Sequence, residues 1–170
     1  MSSTAPSPLP NPHVNGLPVR PMHPADLDAI MTIERAAYPY PWTRGIFEDC
    51  LKHNYPCLVH ENVGEIVAYT VISVAAGEMH VLNLTVRPES QEQGLGKRLL
   101  MTAEQIGLAL GAAECFLEVR PSNTAALQLY RHQGFNEVGL RRNYYPARKG
   151  REHAVIMAKV LVAPEQDFPP

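Results

Sequence analysis

A carboxylate stands inside an apolar stretch, CFLEVR at residues 115–120, where Glu118 is flanked by leucine and valine. The stretch predicts a strand, and alternation along it places Phe116, Glu118 and Arg120 on one face. A carboxylate in such surroundings is costly unless it is paired or functional. Glu118 is therefore a candidate general base. The alternative is a structural ion pair, with Arg120 or Arg131 as the partner.

A phenol follows on the next predicted helix. Tyr130 lies in SNTAALQLYRHQG, residues 122–134, with Ser122 as the predicted N-cap and Gly134 just beyond the helix end. A phenol with a pKa of about 10 is protonated at neutral pH and can give its proton to a leaving group. The alternative for Tyr130 is a half-buried core aromatic, which is the commoner fate of a helical tyrosine.

The third candidate is a glycine pair in ESQEQGLGKRLL, residues 89–100. The stretch lacks the Lys-Ser/Thr of a P-loop and the third glycine of a dinucleotide fingerprint. It does lie between a predicted strand and an amphipathic helix, which places unpaired N–H groups beside the turn. Gly94 and Gly96 would let a phosphate approach the backbone closely. The alternative is a tight strand-to-helix connection without a ligand.

The composition narrows the classes of function. The 170 residues carry a net charge of -2, which is a poor electrostatic footprint for nucleic acid, although basic residues cluster in RRNYYPARKGR at 141–151. Three cysteines show no metal-type spacing with the seven histidines, so we expect no metal site and a reducing compartment. We also expect no signal peptide and no membrane span, and therefore a cytoplasmic protein.

The periodicities predict the elements that must hold these candidates. The proline-rich residues 1–16 and the tail 163–170 are predicted to be disordered, which leaves one domain at 17–162. Its order is β-α-α-β-β-β-α-β-α-β-β, an α/β fold with a mixed sheet and helices on its faces. Thr43 is the predicted N-cap of the second helix, and NVG marks a hairpin. The helix after the glycines should bury Leu95, Leu99, Ala103, Ile106 and Leu110.

Several motifs together resemble the GNAT acetyltransferases. The pattern Q-x-x-G-x-G at Gln91–Gly96 resembles the acetyl-coenzyme A pyrophosphate loop of that superfamily, and LEVRPSNTAALQLYRHQGF resembles its strand-helix unit. PYPW and RRNYYP are similar to the RimI-type branch, which acetylates the N-terminal amine of a ribosomal protein. The resemblance covers about Val19 to Val160. It implies the GNAT fold, a mixed and mostly antiparallel central sheet flanked by helices.

The resemblance implies acetyl-coenzyme A as co-substrate, and no metal. For the pyrophosphate, the implied contacts are Glu92, Gln93, Gly94, Leu95, Gly96 and Lys97. For the pantetheine arm, they are Leu84, Thr85, Val86 and Asn123. The same strand segment would supply a backbone N–H to the oxyanion. Glu92 stands where relatives often carry a basic residue, so we expect its side chain to point to solvent and the amides to bind the phosphates.

The resemblance also assigns the catalytic roles. It makes Glu118 the proton acceptor and Tyr130 the proton donor, with direct attack in a ternary complex. Cys115 is expected to face away from Glu118 as a buried structural cysteine. An N-terminal amine has a pKa of about 7.7–8.0 and a lysine side chain has a pKa of about 10.4. The α-amine is therefore easier for a base to deprotonate at neutral pH.

The implied acceptor is the N-terminus, with alanine first, of a small-subunit ribosomal protein, bound by a monomeric enzyme without membrane or nucleic acid. The implied acceptor contacts are Tyr38, Trp42, Arg142, Tyr144 and Tyr145. From the residues alone, PYPW can be a lid on the core or a peptide-binding wall, and the lid is the favoured interpretation. Two other functions stay open. One is acetylation of lysines or small amines, and the other is a non-catalytic RNA- or ribosome-binding module, since basic residues alternate with tyrosines in RRNYYP.

Overall fold

The computed structural model describes residues 16–162. The predicted disordered segments at 1–16 and 163–170 therefore lie outside the described residues, except for Gly16. The carbonyl of Gly16 accepts a hydrogen bond from Arg98 Nη2 at 3.0 Å. The next residue, Leu17, is buried and its N–H donates to Thr102 Oγ1 at 2.7 Å. The described chain thus begins in contact with a helix of the core.

A mixed sheet forms the middle layer, and the described residues contribute seven strands to it in the order β1-β2-β3-β4-β5-β7-β6. The strands are β1 (Arg20–Pro21), β2 (Cys57–Asn62), β3 (Glu65–Ala75), β4 (Glu78–Val86), β5 (Glu114–Val119), β6 (Asn136–Pro146) and β7 (Arg151–Val160). Every neighbouring pair is antiparallel except β4 and β5. The helices are α1 (Leu27–Ala37), α2 (Arg44–Lys52), α3 (Leu95–Ala109) and α4 (Thr124–His132). The predicted fold class is confirmed.

Alternation along the strands divides the core between the two faces of the sheet. On β2, Cys57 and Val59 pack in a cluster that includes residues of α1 and α2, whereas Leu58 packs in a cluster that includes residues of α3 and α4. Successive side chains of a strand point to opposite faces, so the two helix pairs cover opposite sides. No helix within 16–162 is long and apolar enough to cross a membrane.

The local signals at two helix starts have different outcomes. Thr43 caps α2 as predicted, since its hydroxyl accepts a hydrogen bond from Ile46 N at 3.3 Å. The N-cap of α4 is Asn123 and not Ser122, because Asn123 Oδ1 accepts from Ala126 N at 3.2 Å. The Ser122 hydroxyl instead donates to the Glu152 carboxylate at 2.9 Å. The cap is displaced by one residue because the Ser122 hydroxyl is hydrogen-bonded to Glu152, which is distant in the sequence.

The hairpin and the buried face of α3 follow the predicted pattern except at one residue. Val63 and Gly64 form the two-residue turn between β2 and β3, with φ of 51° and 77°. Leu99, Ala103 and Ile106 are buried, but Leu110 is 55% exposed, so that prediction is wrong. The α-helix ends at Ala109 and the chain turns at Gly111, whose φ is +94°. Leu110 therefore no longer follows the helical spacing.

The parallel pair β4 and β5 separates partway along its length. Its pairing runs from Glu78 opposite Glu114 to Val81 opposite Leu117 and stops there in the described chain. Beyond this point β4 stays paired to β3 as far as Val86, while β5 stays paired to β7 as far as Val119. The two strands therefore diverge and leave a gap in the sheet.

Candidate active site

The gap between β4 and β5 opens into two adjoining cavities. The larger has a volume of about 1090 Å³ and extends to the start of α3. The smaller has a volume of about 620 Å³ and extends to β5 and the loop after α1. Tyr38, Leu84, Arg120, Asn123 and Tyr130 line both cavities. One end of a molecule bound in the larger cavity would therefore lie next to a molecule bound in the smaller cavity.

The predicted phosphate loop lies at the end of the larger cavity. Glu92, Gly94, Leu95, Gly96 and Lys97 line it, whereas Gln93 does not. Gly94 is the N-cap of α3 in the left-handed region, with φ of +79°, and no side chain caps the helix. The first N–H groups of a 15-residue helix are thus left without a side-chain acceptor. Such a helix start attracts phosphate.

Glu92 also adopts the left-handed region, with φ of +63°, and it is exposed as expected. Its carboxylate belongs to no ion pair among the described residues. A second residue of the motif has a role that the sequence did not reveal. Gln91 Nε2 donates to the carbonyl of Val86 at 3.0 Å and so attaches the loop to the end of β4.

The segment of β4 beyond the divergence presents backbone groups to the gap. Arg87 N donates to Val67 O at 2.8 Å, so Arg87 bonds to β3. Because antiparallel residues alternate in the neighbour they face, Thr85 also faces β3, while Leu84 and Val86 face the gap. The carbonyl of Leu84 accepts a hydrogen bond from the Tyr38 hydroxyl at 3.2 Å. The carbonyl of Val86 accepts a hydrogen bond from the side chain of Gln91. Leu84 and Val86 line the larger cavity.

Thr85 departs from its predicted place among the cofactor contacts. Its side chain is buried, and it lines neither cavity. Its hydroxyl donates to Asn83 Oδ1 at 2.7 Å. The side chain of Thr85 points to the face opposite that of its two neighbours because side chains alternate along the strand. The prediction treated three consecutive strand residues alike, and only alternate ones reach the gap.

Glu118 lies on the wall of the smaller cavity with 26% of its side chain exposed. Phe116 and Arg120 share its partly exposed face, and Cys115, Leu117 and Val119 are buried on the other. Glu118 also forms an ion pair, since Oε1 lies 2.9 Å from Arg141 Nε. The carboxylate thus faces a cavity and is held by one cation of β6.

The ion-pair partner of Glu118 differs from both predicted candidates. Arg120 binds Glu152 at 3.3 Å and the carbonyl of Pro146 at 2.7 Å, and Arg131 pairs with Glu137. Arg141 reaches Glu118 because β7 lies between β5 and β6 and brings the β6 side chain over the same face. That strand order leaves no local signal in the sequence.

Tyr130 lies on the wall shared by both cavities. The residue is 8% exposed, and its ring packs edge-on against Phe135 with centroids 5.7 Å apart. Burial raises the pKa of the Tyr130 phenol well above its usual 10. Its hydroxyl makes no hydrogen bond to any described residue. The phenol is therefore protonated at neutral pH, and its proton is free for a ligand.

Cys115 is a core residue, as predicted. It is fully buried and packs in the cluster on the α3 side of the sheet. Burial raises the pKa of the Cys115 thiol to about 12. A thiol that is protonated at neutral pH and turned away from the cavities does not act as a nucleophile.

Three of the five predicted acceptor contacts line the smaller cavity. Tyr38, Trp42 and Tyr145 lie on its walls, and Arg142 and Tyr144 do not. Arg142 is exposed and follows Arg141, so strand alternation directs it to the opposite face. Tyr144 packs against Tyr145 with ring centroids 4.8 Å apart. Burial, the charge of Glu118 and a hydrogen bond to Glu118 raise the pKa of Tyr144, so the Tyr144 hydroxyl lies beside that carboxylate.

Trp42 is both a wall and a lid. Its ring lines the smaller cavity and packs against Phe47 of α2, with centroids 5.2 Å apart. The residues alone favoured a lid, and the structure gives Trp42 both a core contact and a place on the cavity wall.

Arg120 is a cavity residue that the sequence presented only as a possible ion-pair partner. Its guanidinium lies over the ring of Tyr145 at 4.3 Å and that of Tyr40 at 5.2 Å. Both distances suit a cation–π contact. Arg120 thereby joins the loop after α1 to the β6–β7 hairpin across the mouth of the gap. Its partners lie far away in the sequence, which explains why no pattern pointed to them.

The described residues hold no cluster of histidine, cysteine, aspartate and glutamate that could bind a metal ion. The groups that are present fit acetyl-coenzyme A. The uncapped start of α3 and Lys97 suit its phosphates, and the open edge of β4 at Leu84 and Val86 suits the amides of its pantetheine arm. Tyr130 lies where the two cavities meet.

Known proteins share this architecture. Residues 27–135 match the family model described as Acetyltransferase (GNAT) family. The [ribosomal protein bS18]-alanine N-acetyltransferase of Escherichia coli (strain K12) is 40% identical over 133 residues, which are 78% of this chain and 90% of that protein. The crystal structure of the Escherichia coli ribosomal-protein-S18-alanine N-acetyltransferase superposes with a TM-score of 0.79 at 35% identity, over 89% of this chain and 98% of that one.

A more distant structure shares the fold. It is a putative acetyltransferase from Salmonella typhimurium, solved with its cofactor acetyl-CoA. The TM-score is 0.70 at 20% identity, with 91% of this chain and 98% of that chain covered.

Proposed function

Because the chain belongs to the acetyltransferase (GNAT) family, we propose that it transfers an acetyl group from acetyl-coenzyme A to the N-terminal alanine of ribosomal protein bS18. The family supports acetyl transfer, and the names of the relatives support the acceptor. One observation in the structure carries the proposal. Glu118 and Tyr130 line adjoining cavities at the point where β4 and β5 diverge. In this proposal the base faces the acceptor amine, and the acid faces the sulfur that leaves the acetyl group.

The larger cavity holds acetyl-coenzyme A in this proposal. The amides at the start of α3 and the ammonium of Lys97 bind the phosphates, and Leu84 and Val86 bind the pantetheine arm through their backbone groups. The Asn123 side chain, which caps α4 with its oxygen, has its amide nitrogen left to donate to the same arm. When bound, acetyl-coenzyme A supplies an activated thioester.

Glu118 removes a proton from the acceptor amine in the smaller cavity. An N-terminal amine with a pKa of about 7.7–8.0 is partly neutral at physiological pH, so a carboxylate within hydrogen-bond reach is sufficient as base. Arg141 holds that carboxylate by its 2.9 Å contact and restricts its orientation. The roles of orientation and proton transfer are thus divided between two strands.

Tyr130 supplies the second proton transfer. Its buried phenol stays protonated, and its hydroxyl is unpaired among the described residues, so it donates to the departing sulfur. Tyr38, Trp42 and Tyr145 form the walls against which the acceptor peptide lies. Attack is direct, since Cys115 is buried and turned away.

The protein works in the cytoplasm in this proposal, on an acceptor that belongs to the ribosome. Its three cysteines, Cys50, Cys57 and Cys115, are free and buried, which supports a reducing compartment. We expect it to act as a monomer that requires neither membrane nor nucleic acid.

A peptide that begins with a free alanine and carries one internal lysine tests the proposal. With acetyl-coenzyme A and purified protein, we expect tandem mass spectrometry to place one acetyl group on the α-amine. The matched control is the same peptide with a blocked N-terminus, which should remain unmodified. Acetyl on the lysine would contradict the acceptor and favour a lysine acetyltransferase. Salt-dependent RNA binding without any acetyl transfer would favour the non-catalytic module.

The Gly96→Ala variant tests the phosphate loop. A Cβ at this position would lie 3.5 Å from Leu129 Cδ2 and 3.8 Å from Val86 Cγ2, which is ordinary van der Waals contact. Alanine is also favoured over glycine within a helix by roughly 0.5–1 kcal/mol. We therefore expect an unchanged or higher melting temperature, and a dissociation constant for coenzyme A about tenfold higher by calorimetry, or about 1.4 kcal/mol.

Gly94→Ala is the contrasting control for that experiment. Gly94 has φ of +79°, and alanine there costs roughly 1–2 kcal/mol of backbone strain, so this variant should lose stability. Unchanged coenzyme A affinity in Gly96→Ala would show that no phosphate approaches the backbone at Gly96.

A further inference from the structure

A buried carboxylate outside the proposed mechanism lies on the inner wall of the acceptor cavity. Glu34 of α1 is 1% exposed and accepts hydrogen bonds from the Tyr69 hydroxyl, from Trp42 N at 3.2 Å and from Asn83 Nδ2 at 3.3 Å. Burial raises the pKa of the Glu34 carboxyl, and these donors oppose that effect. Every hydrogen-bond partner of the carboxylate among the described residues is a donor, so the site is built for an acceptor.

The donors continue into a chain of hydrogen bonds with one direction. Asn83 Oδ1 accepts from Thr85 Oγ1 at 2.7 Å, and Thr85 Oγ1 lies 2.8 Å from the Tyr38 hydroxyl. A hydroxyl has one proton, and that of Thr85 goes to Asn83, so the single Tyr38 proton is shared between Thr85 Oγ1 and the Leu84 carbonyl, two acceptors that both belong to β4. The protons therefore point from Tyr38 through Thr85 and Asn83 to Glu34. Bonds aligned in this way polarise and strengthen one another.

This chain ties two walls of the acceptor cavity together. Tyr38 and Trp42 are the two ends of the loop after α1, and both are attached to Glu34, one through the chain and the other by its own N–H. Asn83 and Thr85 belong to β4, on either side of Leu84, which lines both cavities. The loop thus has a fixed distance from the strand that borders the gap.

We propose that Glu34 is a positioning residue that acts through Asn83, Thr85 and Tyr38 to hold the loop 38–42 against β4, and that this sets the width of the acceptor cavity. The inference rests on the proposed function, because it assigns the smaller cavity to the acceptor. It predicts that loss of the chain weakens binding of the peptide and leaves acetyl-coenzyme A binding unchanged.

Thr85→Val interrupts the chain with a side chain of nearly the same shape. Asn83 Oδ1 then loses its donor, and Tyr38 keeps only the carbonyl of Leu84 as acceptor. We expect the KM for the alanine peptide to rise about tenfold, while the KM for acetyl-coenzyme A changes less than twofold. Thr85→Ser restores the hydroxyl and should restore the peptide KM.

Thr70→Val is the matched control, because it makes the same change at a neighbouring buried threonine. It removes the hydrogen bond of 2.7 Å from the Thr70 hydroxyl to the backbone carbonyl of Asn83 but none of the side-chain bonds that lead to the loop. It should lower the melting temperature as Thr85→Val does and leave the peptide KM unchanged. If Thr85→Val lowers the melting temperature and leaves the peptide KM unchanged as well, Glu34 has a merely structural role.

A readout without catalysis separates this inference from the proposed function. Trp42 is the single tryptophan of the chain and carries the N–H that Glu34 binds. Its fluorescence should be quenched more by acrylamide in Glu34→Gln and Thr85→Val than in the wild type or Thr70→Val. Equal quenching in all four proteins would overturn the inference whatever amine the enzyme acetylates.

Discussion

Glu118→Gln should lower kcat for acetylation of an alanine-initiated peptide by about 10²–10⁴-fold, the usual contribution of a positioned general base. Glutamine keeps the shape of the side chain but cannot take the proton of the acceptor amine. The KM for acetyl-coenzyme A should change little, because Glu118 lines the smaller cavity and not the larger one. Steady-state kinetics with each substrate varied in turn measures both effects.

The pH dependence of the same variant adds a second test. Without the carboxylate, the reaction depends on amine that is already neutral, so the rate should rise with pH toward the amine pKa of about 7.7–8.0. Glu137→Gln is the matched control, since Glu137 is another carboxylate paired with an arginine but lies outside both cavities. Wild-type kcat in Glu118→Gln would mean that Glu118 serves only to bind Arg141.

Tyr130→Phe should lower kcat by roughly 10²-fold or more, the lower range for loss of a general acid. The departing sulfur would then leave without a proton from the enzyme. The melting temperature should change little, because the Tyr130 hydroxyl has no hydrogen-bond partner in the described part of the chain and its ring contact with Phe135 is kept. Steady-state kinetics and thermal unfolding of the same preparation measure the two quantities.

The direction of the Tyr130 pKa shift gives the corresponding pH profile. Burial raises the pKa, so the acid form persists to high pH and wild-type kcat should not fall between pH 8 and about 9.5 through ionisation of this residue. Tyr55→Phe removes an exposed phenol away from both cavities and is the matched control. Full activity of Tyr130→Phe would show that water protonates the leaving group.

Sequence reasoning reached the parts of the site that depend on local periodicity. Strand alternation correctly separated Glu118 from Cys115, and the strand-glycine-helix order placed the uncapped start of α3 beside a cavity. The resemblance added which of several chemistries those residues serve. Both kinds of information concern residues that are near in sequence or belong to one motif.

The contacts that were not predicted depend on which elements become neighbours. Arg141 meets Glu118 only because of the strand order, and the backbone groups of Leu84 and Val86 face the gap only because those of Thr85 pair with β3. Glu34 did leave a signal. It lies one turn after Ile30 on the apolar stripe of α1, where a carboxylate implies buried donors.

The strand order also has a consequence for biosynthesis. β7 is the last described strand to leave the ribosome, yet it lies between β5 and β6, which are made before it. Until residues 151–160 emerge, β5 has an open edge and Arg141 has no route to Glu118. Such late, non-local pairing slows folding. The nascent chain therefore has the glycine loop of α3 well before Arg141 can reach Glu118, and we expect no acetyl transfer until β7 is inserted.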